Sequence, residues 1–186
     1  MSCLRNTMAE SRQAAGIAAF VALGSNMPSG SGSPEQTVRA AIERLRVLSA
    51  GPLRVSSLWS TPPVDCPPGS ADFINAVVML QVPEDKTACQ LLAALQAIEA
   101  EFGRTRSPQR NAPRTLDLDI ISLGRQVFEL ATLQLPHPRA HLRSFVLAPL
   151  AEIAPDFILP GQQETVSSQL ARQGRNTGLR RLIVTD

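Results

Sequence analysis

The chain has 186 residues, 44% hydrophobic and 18% charged, a balance that suits one globular domain with a substantial core and excludes a disordered or fibrous chain. Its net charge of +2 is too small to predict wholesale nucleic-acid binding. Of the 18 basic residues all but Lys86 are arginine, a bias that suits phosphate recognition but that codon composition alone also produces.

Residues 1–15 are polar without clear periodicity and are expected to form a flexible tail, with 16–186 as a single domain. The apolar run 17–23 reads as a first strand, closed by Gly24-Ser25-Asn26. Arg5 and Arg12 precede it, but the run is short for a signal peptide and Glu10 interrupts the basic segment, so secretion is not expected. After a Ser/Gly-rich loop, Ser33, Pro34 and Gln36 open a helix as N-cap, first position and capping-box partner. Val38, Ala41, Ile42, Leu45 and Leu48 carry its period, and Gly51-Pro52 stops it.

Residues 54–59 read as a second strand, followed by a proline-rich loop over 61–69, and residues 73–82 as a third strand. Thr87 and Gln90 repeat the capping box for a second helix, whose stripe is Leu91, Leu92, Leu95, Ile98 and Phe102, with Gly103 as its stop. An arginine-bearing loop leads into a strand over 116–123, and a further short strand is expected at 127–130. A helix follows over 144–154, perturbed by Pro149, and 161–186 resist assignment. Strand, helix, strand, strand, helix, strand is the split βαβ, ferredoxin-like order of an α+β fold: an antiparallel sheet with helices on one face, plus C-terminal additions.

Cys3, Cys66 and Cys89 are widely spaced and form no CxxC pattern, so neither a disulfide framework nor a zinc site is expected, and a reducing cytoplasm fits. No apolar run is long enough to span a membrane.

The most informative segment is Arg114-Thr115-Leu116-Asp117-Leu118-Asp119-Ile120-Ile121. Its period-two alternation puts both carboxylates on one strand face, where like charges repel unless cations offset them. Mg²⁺ takes carboxylate oxygens alongside water and substrate phosphates. Arg104, Arg106, Arg110 and Arg114 precede Asp117 with no acidic residue among them, on a segment punctuated by Gly103, Pro108 and Pro113. Taken alone, Asp-x-Asp is more often a solvated strand face, and an arginine loop more often a soluble surface. Together they point to an enzyme that holds a polyphosphate through metal. The only lysine lies far from Gly24-Ser25-Asn26, which excludes a P-loop there. Phe73 and Asn75 share a strand face and would suit a flat heterocycle, although on pattern alone a core aromatic with a satisfied amide stands first. Leu135-Pro136-His137-Pro138 suits a rigid turn equally well.

Val21-Ala22-Leu23-Gly24-Ser25-Asn26, Ser60-Thr61-Pro62-Pro63, Asp72-Phe73-Ile74-Asn75-Ala76, Pro113-Arg114-Thr115-Leu116-Asp117-Leu118-Asp119-Ile120 and Leu135-Pro136-His137-Pro138 occur in this order. Together they resemble the 6-hydroxymethyl-7,8-dihydropterin pyrophosphokinases of folate biosynthesis, over roughly residues 17–160. The resemblance implies ATP-dependent transfer of pyrophosphate to the pterin hydroxymethyl, with release of AMP. It implies two Mg²⁺ ions on Asp117 and Asp119, and catalytic roles for these and for Arg104 and Arg114. Thr61, Pro62, Pro63, Val64, Phe73, Asn75 and Phe145 would bind the pterin. Gln96, Arg106, Arg114, Ile120, His137 and Arg143 would bind ATP, and Glu99 falls near the same site. Glu99 also sits in the last turn of its helix, where the dipole disfavours an anion, so a cationic neighbour is expected.

Three positions depart from the family pattern: Asn111-Ala112, Thr132 and Pro138. The first puts loop packing on the pterin in question, and the second removes one phosphate contact. No nucleic-acid or membrane partner is expected, and the chain is expected to be a monomer or weak homodimer. The rival readings are another Mg²⁺-dependent nucleotide-using transferase and a non-catalytic ferredoxin-like ligand-binding module. An RNA-binding version of the latter is weakened by an aromatic content of 4%.

Overall fold

The computed structural model describes residues 16–105, 112–174 and 178–182, so the expected tail 1–15 lies outside the described residues. Strand β1 (Ile17–Ser25) comes first, then helix α1 (Pro34–Arg46). The capping box forms as read: Ser33 Oγ accepts from the Gln36 N–H, and Gln36 Oε1 accepts from the Ser33 N–H at 2.8 Å. Val38, Ala41, Ile42 and Leu45 are buried, whereas the helix ends at Arg46 and Leu48 packs against the core from the following turn.

The expected strand 54–59 divides into β2 (Arg54–Val55) and β3 (Trp59–Thr61). Ser56 causes the break. Its hydroxyl accepts from the Val77 N–H at 2.9 Å, and the Ser57 N–H then turns away to the Glu152 carboxylate at 2.7 Å. Next come β4 (Phe73–Val82) and α2 (Ala88–Glu101), the latter started by the Thr87–Gln90 capping box. Leu91, Leu95 and Ile98 are buried in α2, Leu92 only partly, and Phe102 is buried as the C-cap rather than within the helix. Strands β5 (Asp117–Leu123) and β6 (Phe128–Leu130) follow, and β6 pairs with an unforeseen β7 (Leu133–Leu135). A 3-10 turn at Ala140–Leu142 leads to α3 (Ser144–Ile153), and α4 (Val166–Arg172) and β8 (Arg180–Arg181) occupy the unassigned region.

The sheet order is β5-β1-β4-β3-β8, antiparallel at every pairing, with β2 also on β4. The ferredoxin-like arrangement is therefore present. Helices α1 and α2 cover one face through Val38, Leu45, Leu91 and Leu95 against Val21, Leu23, Val78 and Leu80. Burying each such side chain stabilises the fold by about 1.5–3 kcal/mol. The second face is covered as well, contrary to the expectation of helices on one face only. Phe20, Val77 and Ile121 pack against Val146, Leu147, Leu150 and Ile153 of α3 and Val166 of α4. The cause lies in β1 and β4, whose centres are apolar on both faces and need a cover on each.

Candidate active site

Strand β5 pairs with β1 so that Asp117 lies opposite Gly24 and Asp119 opposite Ala22. Leu118 and Ile120 turn into the core under α1 and α2, so both carboxylates stand on the other face, as period-two alternation requires. A bulge then skips Ile121, which joins the second core, while Leu123 returns to the first. The aspartates thus stand where the cover of α3 gives way to open space. The β1 residues opposite them are small, and a Cβ on Gly24 would lie 3.1 Å from Asn75 Oδ1.

Two cavities meet at the carboxylates. One, of about 260 Å³, is lined by Gly24, Thr61, Pro62, Val64, Phe73, Asn75 and Phe145, with His137, Arg139 and Arg143 also on its wall. The other, of about 380 Å³, is lined by Gln96, Glu99, Arg104 and Thr132. Arg114, Asp117 and Asp119 border both.

The first cavity combines two aromatic rings, Phe73 and Phe145, with a polar wall that includes Thr61, Asn75, Arg114 and Arg143. The Arg114 guanidinium lies 5.5 Å from the centre of the Phe73 ring, and that of Arg143 lies 5.4 Å from the centre of Phe145. Asn75 Nδ2 donates to Thr61 Oγ1 at 2.8 Å, which orients the amide and fixes where its oxygen sits. Such a site accepts a flat heterocycle with hydrogen-bonding groups along one edge.

Charge is concentrated at the junction. Arg104 bonds to both Glu99 and Asp117, and Arg114 Nε lies 3.2 Å from Asp117 Oδ2. Arg104 is the cationic neighbour expected for Glu99, which also accepts the Leu118 N–H at 2.7 Å. Burial nevertheless raises the Glu99 carboxyl above its usual range. Burial works against the charge of Arg104 too, but Asp117 and Glu99 outweigh it and hold its pKa above the ordinary value. Asp119 is pushed up to about 6 by burial and by the Asp117 charge. His137 is pushed down to about 4 by burial and by Arg143 and Arg139.

This pattern fits a divalent cation. Among the described residues no basic side chain stands within ion-pair distance of Asp119, and burial and the Asp117 charge both disfavour its ionised form, which a bound cation would offset. Also among the described residues, no cluster of three or more His, Cys, Asp or Glu could hold a metal by itself. The remaining ligands would be water and phosphate oxygens, which is how Mg²⁺ is commonly held.

Of the residues expected to act, Pro63 lines neither cavity, Ile120 buries its side chain in the core, and His137 and Arg143, expected on ATP, line the first cavity and not the second. Arg106, with Arg110 and Asn111, lies outside the described residues. Sequence reasoning missed Arg139, Gly24 and Asn26 as parts of the site. Asn26 Oδ1 accepts the Arg114 N–H at 2.8 Å, and the N–H groups of Asn26 and Met27 both donate to the Arg114 carbonyl at 3.2 Å. The Gly24-Ser25-Asn26 strand end signalled a turn, but nothing local shows which distant residue the turn would clamp.

The model of the family described as 7,8-dihydro-6-hydroxymethylpterin-pyrophosphokinase (HPPK) matches residues 20–155. A Pseudomonas aeruginosa protein named 2-amino-4-hydroxy-6-hydroxymethyldihydropteridine pyrophosphokinase is 42% identical over 150 residues, covering 76% of this chain and 83% of that one. A Haemophilus influenzae protein of the same name is 37% identical over 158 residues, covering 84% and 92%. Among solved structures, a Plasmodium falciparum HPPK-DHPS chain crystallised with pteroate superposes with a TM-score of 0.66 at 12% identity, over 94% of this chain. This chain spans about half of that longer one, 48%, and at such identity the likeness concerns the fold alone.

Proposed function

Because the chain belongs to the 7,8-dihydro-6-hydroxymethylpterin-pyrophosphokinase family, we propose that its two cavities divide one reaction between them, the first holding the pterin and the second the nucleotide. The activity is ATP-dependent transfer of pyrophosphate to the hydroxymethyl group of 6-hydroxymethyl-7,8-dihydropterin, a diphosphotransfer of folate biosynthesis. The observation that carries the division is that both cavities end on the same two aspartates. Acceptor and donor then meet over one pair of carboxylates, which makes the reaction effectively intramolecular.

Phe73 and Phe145 would sandwich the pterin, and Asn75, held by Thr61, would pair with its polar edge. Pro62 and Val64 close the same wall, and Pro63 keeps the loop rigid without facing the cavity. The acceptor hydroxyl oxygen bonds to the β-phosphorus. The bond from that phosphorus to the oxygen bridging the α-phosphate breaks, and AMP leaves with that oxygen. The hydroxyl proton passes to base, and a carboxylate of the pair lies at hand to take it. Arg104 and Arg114 would stabilise charge on the transferring group and on the departing phosphate. Gln96 lines the nucleotide cavity, the backbone at Ile120 lies beside the diacid, and Arg106 belongs to the same reading. Two Mg²⁺ ions on Asp117 and Asp119 would polarise phosphoryl oxygens and neutralise charge there.

The same reading takes residues 16–186 as a single domain and the chain as a cytoplasmic monomer or weak homodimer. Among the described residues no helix is long and apolar enough to cross a membrane. Incubation with ATP, Mg²⁺ and hydroxymethyldihydropterin tests the function. AMP and pyrophosphorylated pterin should appear in equal amounts. Release of ADP or of free pyrophosphate instead would point to a different transferase.

A further inference from the structure

Three guanidinium groups, of Arg114, Arg139 and Arg143, and three carboxylates, of Asp65, Asp117 and Asp119, line the pterin cavity, with the neutral His137 among them. Arg139, Arg143 and His137 all line the first cavity and none lines the second, which places them on the pterin side of Asp117 and Asp119. Among the described residues no carboxylate lies within ion-pair distance of Arg139 or Arg143. Arg143 is partly buried, and burial and the charge of Arg139 lower its pKa while Asp119 and Asp117 act against them.

The backbone fixes this arrangement. The His137 N–H donates to the Ile121 carbonyl at 2.8 Å, tying the segment to β5. The Arg139 N–H donates to His137 Nδ1 at 3.1 Å, which leaves the imidazole proton on Nε2 as a free donor. A neutral donor and two guanidinium groups therefore converge on one side of the diacid. Guanidinium groups on a cavity wall with no carboxylate at ion-pair distance are open to an anion, and arginine forks match phosphate oxygens in pairs.

Resting on the proposed function, the polyanion that comes to lie on the pterin side is the pyrophosphate after it has joined the hydroxymethyl oxygen. We propose that Arg139 is a binding residue for the pyrophosphoryl group of the product, and that it makes the cavity hold pyrophosphorylated pterin more tightly than the alcohol from which it forms. The discrimination is electrostatic. The two pterins share the ring that Phe73 and Phe145 enclose and differ in the charged group that Arg139 faces.

Equilibrium titration with 6-hydroxymethylpterin, its pyrophosphorylated form and a non-hydrolysable ATP analogue, each with Mg²⁺, tests this. Arg139→Ala should weaken the pyrophosphorylated pterin by about tenfold while leaving the alcohol unchanged. Arg139→Lys should recover part of the loss, since it restores charge without the fork. Arg139 is exposed and contributes nothing to either core, so both variants should fold, which circular dichroism checks. Equal affinity of parent and Arg139→Ala for the product overturns the proposal, as does an equal loss for both pterins. A loss confined to the ATP analogue overturns it as well, because Arg139 would then serve the donor. A parent chain that binds neither pterin removes the functional reading, and this inference with it.

Discussion

At Asp119 two penalties act in the same direction: burial disfavours its charge and so does Asp117. Together they push the carboxyl up to about 6 in the fold from its ordinary 3.8, so the folded protein keeps a proton that the unfolded chain has lost between those values. Stability without metal should therefore fall as pH rises through that window. Asp119→Asn never ionises and should escape the fall. Solvent reaches Asp119 through both cavities, which trims the gain to about 1–2 kcal/mol above pH 6. Urea unfolding at pH 4 and pH 8 measures it, and an equal stability difference at both values would remove the electrostatic cause. The same variant should lose Mg²⁺-dependent turnover by at least about a hundredfold, since an amide is a poor ligand for the metal. Arg104 poses a complementary case. Among the described residues, its removal takes the only ion-pair partner of Glu99 and one of the two of Asp117. Arg104→Ala should lower kcat by roughly 100-fold to 1,000-fold with a smaller change in the KM for ATP. A change in KM alone would make Arg104 a ground-state binder rather than a group that acts in the transition state.

Elements that announce themselves locally were legible in the sequence, and those set by distant partners were not. Both capping boxes form as the Ser33–Gln36 and Thr87–Gln90 spacings indicate, because the signal and the bond lie within one turn. The division of residues 54–61 into β2 and β3 depends on Ser56 meeting Val77 and Ser57 meeting Glu152, contacts between segments far apart in the chain. Likewise β8 exists only because Arg180 and Arg181 pair with Ser60 and Trp59, and a two-residue strand carries no periodicity to read. At the site, the diacid and its arginines were legible from alternation and charge. Gly24 and Asn26 were not, because their roles depend on what lies across the sheet. Asn26→Ala tests such a link. It removes the acceptor that holds the Arg114 N–H and should cost about 1 kcal/mol of stability. Because Arg114 borders both cavities, kcat should fall as well, by several-fold. Ser33→Ala supplies the contrast: a similar loss of about 1 kcal/mol from a cap away from both cavities, with kcat/KM unchanged. If the two variants behave alike in kinetics, the clamp on Arg114 has no part in catalysis.

For the molecule as a whole, the sheet is a partition with a core on each side and its charged residues where one cover stops short. The strand and helix order pointed to the partition. Of the second cover, α3 was expected as a helix but its place on the sheet was not, since that depends on contacts with Phe20, Val77 and Ile121, and α4, with only 7 residues, shows no long periodic run. The consequence is that ligands meet the fold at its seam. The aspartates stand on β5, beside β1, while Arg143 and Phe145 come from the start of α3. A Mg²⁺–nucleotide complex that neutralises Asp117 and Asp119 would bind the folded chain and not the unfolded one. At a hundred times its Kd it should add about 2.7 kcal/mol, or roughly 5–10 °C in Tm for a chain of this size. A non-hydrolysable ATP analogue with Mg²⁺ provides the measurement, and excess EDTA should cancel most of the shift. In Asp119→Asn the metal-dependent part should shrink, since one of the two carboxylates that the metal offsets is gone. A full Tm shift that survives EDTA would mean that the nucleotide is held without metal, and the pairing of the two carboxylates would then need another cause.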